Sequence, residues 1–330
     1  MLTIRDIGFA VSTLLCSCAA FAADTTGVVA AGAKQIEGKI IEWPVPTPQF
    51  PRDATVATDG GIYFAVKSGD KIARFDPKSE RFREWKLPQG TAPNGMAAIG
   101  NKVYFGSHDK GYIGELDLIR GTVREFHTSS PSSTPYSMTV DGAGSVWFTE
   151  RKTGKVGRLD PASGKIKEYA VGGDPYDLEV GRNGIVWISL LKTDKFVRLD
   201  PRTGKTAEIG TGPGSAPRRV AVAPDGTVWM TLYGVGAVAK IDPAHFQVAK
   251  TYNLPGGSNS GPYAINADAM GRIWVSEIQT DNIVVLDPRT DAMRVFKLPT
   301  KDASVRNATI DAQGRYWYVG SHAGILGVIE

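Results

Sequence analysis

Short runs of apolar residues, four to six long and broken by polar ones, recur along the chain with turn residues between them. In the stretch 134–171, TPYSMTVDGAGSVWFTERKTGKVGRLDPASGKIKEYAV, four such runs stand at 136–140, 145–149, 155–159 and 165–169. Each is rich in Val, Ile, Trp, Phe or Tyr, which suit a pleated surface, so each predicts a strand. Asp141-Gly142-Ala143-Gly144 separates the first two and Asp160-Pro161-Ala162-Ser163-Gly164 the last two. Gly supplies positive φ and Pro presets a turn, so both segments are expected hairpin connections.

The unit repeats. Counted by the aromatic in its second strand it recurs at Tyr63, Tyr104, Trp147, Trp187, Trp229, Trp274 and Trp317, at intervals of 40 to 45 residues. No unit offers apolar residues at 3.6 spacing over ten or more positions, which excludes helical repeats of similar length. Seven all-β units of four strands predict a seven-bladed β-propeller over residues 38–330. The turn before the fourth strand recurs as Asp76-Pro77, Asp160-Pro161, Asp200-Pro201, Asp242-Pro243 and Asp287-Pro288. The chain stops at Glu330, after what should be the third strand of the seventh unit, while residues 39–44, KIIEWP, look like a fourth strand with no first three before it. The N-terminal strand is therefore expected to complete the last blade, a closure that removes exposed strand edges.

Residues 1–22 stand outside this pattern. Arg5 precedes an apolar run, 7–21, that closes on Ala20-Phe21-Ala22 and reads as a secretory signal peptide cleaved after Ala22. Cys16 or Cys18 as a lipid-carrying residue is the alternative. The run is too short for a permanent membrane span. Cleavage would remove both cysteines, leaving an exported chain, periplasmic or secreted, without thiol or disulfide. Residues 23–37, rich in Ala, Gly and Thr, read as a flexible leader. A net charge of +4 over 330 residues, with no block of Lys or Arg, argues against a nucleic-acid partner.

In an antiparallel blade the start of the first strand and the end of the second lie at the same end, so one face of the disc should collect two rings of residues around the channel. The first ring follows the Pro that opens each unit: Arg52, Asn94, Tyr136, Tyr176, Arg218 and Tyr263, with Asn307 in the unit where Pro is missing. The second lies beyond each counting aromatic: Lys67, His108, Glu150 with Arg151, Leu191, Tyr233, Glu277 and Ser321. Three Tyr, two Arg and two Asn without a carboxylate favour a polar or anionic ligand, with Arg52 and Arg218 facing each other across the mouth. A plain polar or water-filled lining is the alternative reading of the same ring. Glu150 and Glu277 read as structural carboxylates paired with a nearby Lys or Arg. No zinc-protease, nucleophile-elbow, phosphate-loop or dinucleotide motif is present.

The repeated forms P-x-x-I, D-G-x-G, W-F-T-E, I-G-R-L and E-Y-x-L-P, seen in Val146-Trp147-Phe148-Thr149-Glu150 and Val156-Gly157-Arg158-Leu159, resemble those of the virginiamycin B lyases over nearly all of residues 39–330. That resemblance implies a seven-bladed propeller and, in its active members, magnesium-dependent elimination that opens cyclic streptogramin B antibiotics. It also implies a last unit beginning E-P-H-G-I, with a metal-binding Glu and a basic His, a second Glu beyond its W-F, and a further His in the P-H-A-I of the preceding unit. Laid on this chain, those positions are expected at Val305, Asn307, Ser321 and Tyr263. Val cannot bind a hard cation and Asn cannot take a proton near neutral pH.

Three readings follow. The first is an exported propeller that binds a small anionic or aromatic molecule, or a partner protein, without lyase chemistry and without a cofactor. The second is a magnesium-dependent lyase with relocated active-site residues. The third is an interaction scaffold.

Overall fold

The computed structural model describes residues 38–330 and, as backbone, the strand Phe21–Asp24. Six four-stranded antiparallel sheets at residues 51–86, 93–127, 135–170, 175–210, 217–253 and 262–297 form blades 1 to 6. Blade 7 takes three strands from the C-terminal end, Val305–Ile310, Tyr316–Gly320 and Ile325–Ile329, and its fourth, Lys39–Pro44, from the other end. Ile40 pairs with Ile329 and Trp43 with Leu326, so the expected closure by the N-terminal strand is present. Phe21–Asp24 adds a fifth strand outside it and straddles the expected cleavage point after Ala22. The rest of the expected signal peptide and leader lies outside the described residues. Among those described, no helix is long and apolar enough to cross a membrane.

The first strands of successive blades touch one another around the ring, blade 7 against blade 1. Among the described residues the core is correspondingly divided into seven apolar clusters, one at each junction between blades, and an eighth of Tyr136, Tyr176 and Tyr263 on the axis. Trp229 and Tyr252 of blade 5, for example, pack with Ile265 and Val275 of blade 6. The counting aromatics sit in these junctions, Trp147, Trp229 and Trp317 being almost fully buried. Their recurrence with the D-G turn has a local cause. Asp141, Asp268 and Asp311 each use Oδ1 to accept backbone N–H groups of their own turn and Oδ2 to accept the indole N–H of Trp147, Trp274 and Trp317, at 2.9, 3.0 and 2.8 Å. One carboxylate therefore fixes both the hairpin and the buried ring.

The Gly of I-G-R-L has a different reason. Gly157 pairs with Phe148 across the second and third strands, and the ring lies over it so closely that an added Cβ would meet Phe148 Cζ at 2.1 Å. Gly114 under Phe105 and Gly327 under Tyr318 repeat the arrangement.

Candidate functional site

In every blade the pairing of first and second strands slips by one residue near its start, between Pro135 and Met138 in blade 3 and between Val305 and Ala308 in blade 7. Such a bulge breaks the alternation of faces, so two successive residues of each first strand are directed to the axis. The channel consequently has two polar layers where strict alternation gives one.

The outer layer holds Arg52, Asn94, Tyr136, Tyr176, Arg218 and Tyr263, as expected. In blade 7 the pairing of Val305 with Gly320 matches that of Pro135 with Glu150, so the outer-layer residue is Arg306 and not Asn307. Asn307 belongs one step deeper, in the lining of an inner cavity. Three arginines, rather than two, therefore stand in this layer.

The three tyrosines close the axis. Tyr136 Oη lies 2.6 Å from Tyr176 Oη and 3.4 Å from Tyr263 Oη, and the Tyr176 and Tyr263 hydroxyls touch. Arg52 Nη2 donates to Tyr136 Oη at 2.9 Å, and Arg218 Nη1 donates to Tyr176 Oη at 3.1 Å and Tyr263 Oη at 3.4 Å. Arg52 and Arg218 thus converge on a hydroxyl cluster instead of facing each other across open space. Burial opposes ionisation of Tyr136, but Arg52 and Arg219 outweigh it and hold the hydroxyl below the usual phenol range. Asn94 is spent on structure, its amide donating to Asp53 Oδ2 at 3.1 Å and to the Tyr136 carbonyl at 2.7 Å.

The inner layer was not legible as a site in the sequence. Arg219 donates to Asp53 and, at 3.0 Å each, to Asp177 Oδ1 and Ser137 Oγ. Asp53 also accepts the Gly95 N–H at 2.9 Å, and Asp177 the Val220 N–H at 2.7 Å. Burial would raise the Asp53 carboxyl, but Arg219 and Arg52 hold it below the ordinary 3.8. With Arg52 Nε 3.9 Å from Asp53, two carboxylates and two guanidiniums balance at this level.

No such balance exists above it. Arg218, Arg306 and Lys67 have no carboxylate oxygen within 4.0 Å among the described residues. Burial and the charge of Arg52 both weaken the hold of Arg306 and of Lys67 on their protons. The Nε atoms of Arg52, Arg218 and Arg306 are buried without a hydrogen-bond partner. Aromatic faces flank these cations: Phe50 lies 5.8 Å from Arg52 and 5.5 Å from Arg306, and Tyr233 lies 3.9 Å from Arg218. Arg151, also over the tyrosines, is neutralised by a two-pronged pair with Asp174, at 2.8 and 2.6 Å.

The second-ring residues divide by register. Lys67, His108, Arg151, Leu191, Tyr233 and Ser321 fall one residue beyond the ends of the second strands. Glu150 and Glu277 are the fully buried ends of those strands, and the blade 7 residue level with them is Gly320. Neither Glu pairs with a Lys or Arg as expected. Glu150 accepts from Thr153 Oγ1 at 2.8 Å and is pushed up to about 6 by burial; Glu277 accepts from the Gly256 N–H and from Asn282 Nδ2, each at 2.9 Å. His108 and His322 serve different blades, bonded to Asp109 and Asp302.

Fold and site together define a seven-bladed propeller whose polar groups gather at one end of a plugged axis. The chain belongs to the virginiamycin B lyase family, whose family description matches residues 21–199 and 164–330. A search of curated protein sequences finds no match. Among solved structures, a streptogramin B lyase superposes with a TM-score of 0.80 at 23% identity, over 88% of this chain and 97% of that one. A catalytically inactive histidine-to-alanine form of the Staphylococcus aureus virginiamycin B lyase, solved with quinupristin, gives 0.81 at 22%, over 89% and 99%. The Kuenenia stuttgartiensis hydrazine synthase gives 0.72 at 15%, over 87% and 97%. At these identities the likeness is one of fold.

The strand register also moves the expected family positions. Val305 takes the place of the motif Pro, so Ser304 and Arg306, rather than Val305 and Asn307, stand where the resemblance implies Glu and His. Gly320 replaces Ser321 at the second Glu, and Tyr263 keeps its place. Among the described residues no group of three or more His, Cys, Asp or Glu could hold a metal ion. Magnesium, which needs carboxylate oxygens, does not fit this constellation.

Proposed function

We propose that this protein is an exported propeller that binds a small anion, or an acidic molecule with an aromatic part, at the tyrosine-floored mouth, without lyase chemistry. The observation that carries the reading is the set of uncompensated cations, Arg218, Arg306 and Lys67, around Tyr263 and Tyr136. Buried guanidinium N–H groups without acceptors are costly to leave unmatched, and a carboxylate, sulfate or phosphate supplies acceptors in the planar geometry that Arg prefers. Phe50 and Tyr233 offer faces for an apolar portion of such a molecule. The absence of lyase chemistry is argued from Arg306, Ser304 and Gly320, which give neither a base at neutral pH nor a carboxylate for magnesium. Export rests on Arg5, the apolar run and the small residues that end it.

The test is a thermal-shift screen of sulfate, phosphate, citrate and benzoate on the wild type and on an Arg218→Ala, Arg306→Ala double variant. Stabilisation of the wild type alone supports the reading. Equal response of both proteins, or none, removes it.

A further inference from the structure

Below the tyrosine hydroxyls the channel holds a cavity of about 320 Å³, whose lining includes none of the three plug tyrosines. Its size lies at the lower end of the range for small-molecule pockets, about 300–1,000 Å³. Arg219, Asp177 and Ser137 form its roof. Its wall is a belt from deeper in the first strands: Thr55, Thr139, Glu179, Asn266 and Thr309. These belt residues are half-buried, walled in by neighbouring blades yet touching the lumen.

The charges of the roof cancel, since Asp53 and Asp177 are matched by Arg52 and Arg219. Glu179 is the acid left over. It forms no ion pair among the described residues, and Thr139 Oγ1 donates to its Oε2 at 3.0 Å. Burial and the charge of Asp177 push its carboxyl up to about 8, with Arg219 pulling weakly the other way. A carboxyl group so placed is completed either by a proton or by a cation. Its surroundings are rich in acceptors. Asn266 donates Nδ2–H to the Ala308 carbonyl at 3.1 Å and keeps an unpartnered Oδ1, while Thr55 and Thr309 add hydroxyl lone pairs. A single free carboxylate is too few for a divalent metal ion. One negative charge ringed by neutral acceptors matches a singly charged group with several N–H donors.

We propose that this lower cavity is a second ligand site, taking the ammonium group of a small organic amine, with Glu179 as counter-ion and Asn266, Thr55 and Thr309 as hydrogen-bond acceptors. The proposal does not depend on the anion reading of the mouth. Binding exchanges a proton for the ligand: the neutral Glu179 carboxyl releases H⁺ to solvent and the carboxylate pairs with the incoming ammonium. Affinity therefore rises with pH until Glu179 is ionised without ligand.

The experiment is calorimetric titration of methylammonium chloride into the protein at pH 6 and pH 9, with potassium chloride and methanol as controls. For a group that titrates at about 8, affinity should be about 90-fold tighter at pH 9 than at pH 6. Glu179→Gln should abolish binding at both values, Asn266→Asp should tighten it, and Arg202→Ala on an exposed outer turn of blade 4 should leave it unchanged. Absence of methylammonium binding to the wild type at pH 9 overturns the proposal. So does equal binding by Glu179→Gln, or methanol binding as tightly as methylammonium, which would mark the cavity as a water-filled lumen.

Discussion

Arg219 of blade 5 and Asp53 of blade 1, 166 residues apart in the chain, are joined by a guanidinium–carboxylate hydrogen bond across the channel axis. Both are buried, with 4% and 1% of their surfaces exposed, and Arg219 also holds Asp177 of blade 4. The centre of the ring is thus clasped by charge where the seven junctions outside it are held by apolar packing. Removing one partner of a buried pair leaves the other charged and unmatched, so Arg219→Ala should lower unfolding stability by about 3–5 kcal/mol. Urea unfolding of wild type and variant measures this directly, and a loss below about 1 kcal/mol would mean that water enters and replaces the clasp.

Glu179 gives the stability of the protein a pH dependence of opposite sign to the usual carboxylate. An unfolded Glu ionises near 4.5, whereas the folded group holds its proton up to about 8. Between those values the folded state binds more protons, so this contribution to stability falls as pH rises and levels off above about 8. Glu179→Gln should flatten that decline, being more stable than wild type at pH 9 and little changed at pH 4.5. Parallel stability profiles from pH 4.5 to 9 would show that Glu179 ionises freely in the lumen.

Gly157→Ala should destabilise by about 1–3 kcal/mol, because the new methyl meets the Phe148 ring at 2.1 Å and the ring must leave a packed junction. The relief variant Gly157→Ala with Phe148→Leu should recover part of the loss. If the single variant melts like wild type, the ring does not lie over Gly157.

The protein should not linearise streptogramin B antibiotics, with or without magnesium. Arg306 stands beside Tyr263 where a base is required, and Ser304 and Gly320 supply no carboxylate. Magnesium-dependent ring opening above the buffer rate, followed by mass spectrometry, would contradict this.

The fold was legible because its signals are local and repeated sevenfold: a strand pattern, a turn Asp and a counting aromatic that the Asp then bonds. The outer ring was legible for six blades for the same reason, since Pro marks the entry to each first strand. Blade 7 has Val305 in that place, and without the marker the repeat pattern points to Asn307 where the register puts Arg306. The inner layer escaped for a physical reason. A period-two reading puts Asp53, Ser137, Asp177 and Arg219 on the face away from the axis, and only the bulge brings them round to it. Its one sequence sign, charged residues next to ring positions in otherwise apolar strands, becomes meaningful only once strands from blades 1, 3, 4 and 5 are brought together.

The most direct measurement of the mouth as an anion site is a calorimetric titration of sulfate at constant ionic strength into wild type, Arg306→Asn and Asn307→Ala. The two substitutions separate the residue in the outer layer from its deeper neighbour. Loss of one charge-assisted guanidinium contact is worth about 1.5–3 kcal/mol, so Arg306→Asn should weaken sulfate by about 10- to 150-fold, while Asn307→Ala should bind as wild type does. Sulfate binding unaffected by Arg306→Asn, or no saturable binding by the wild type, would contradict the account.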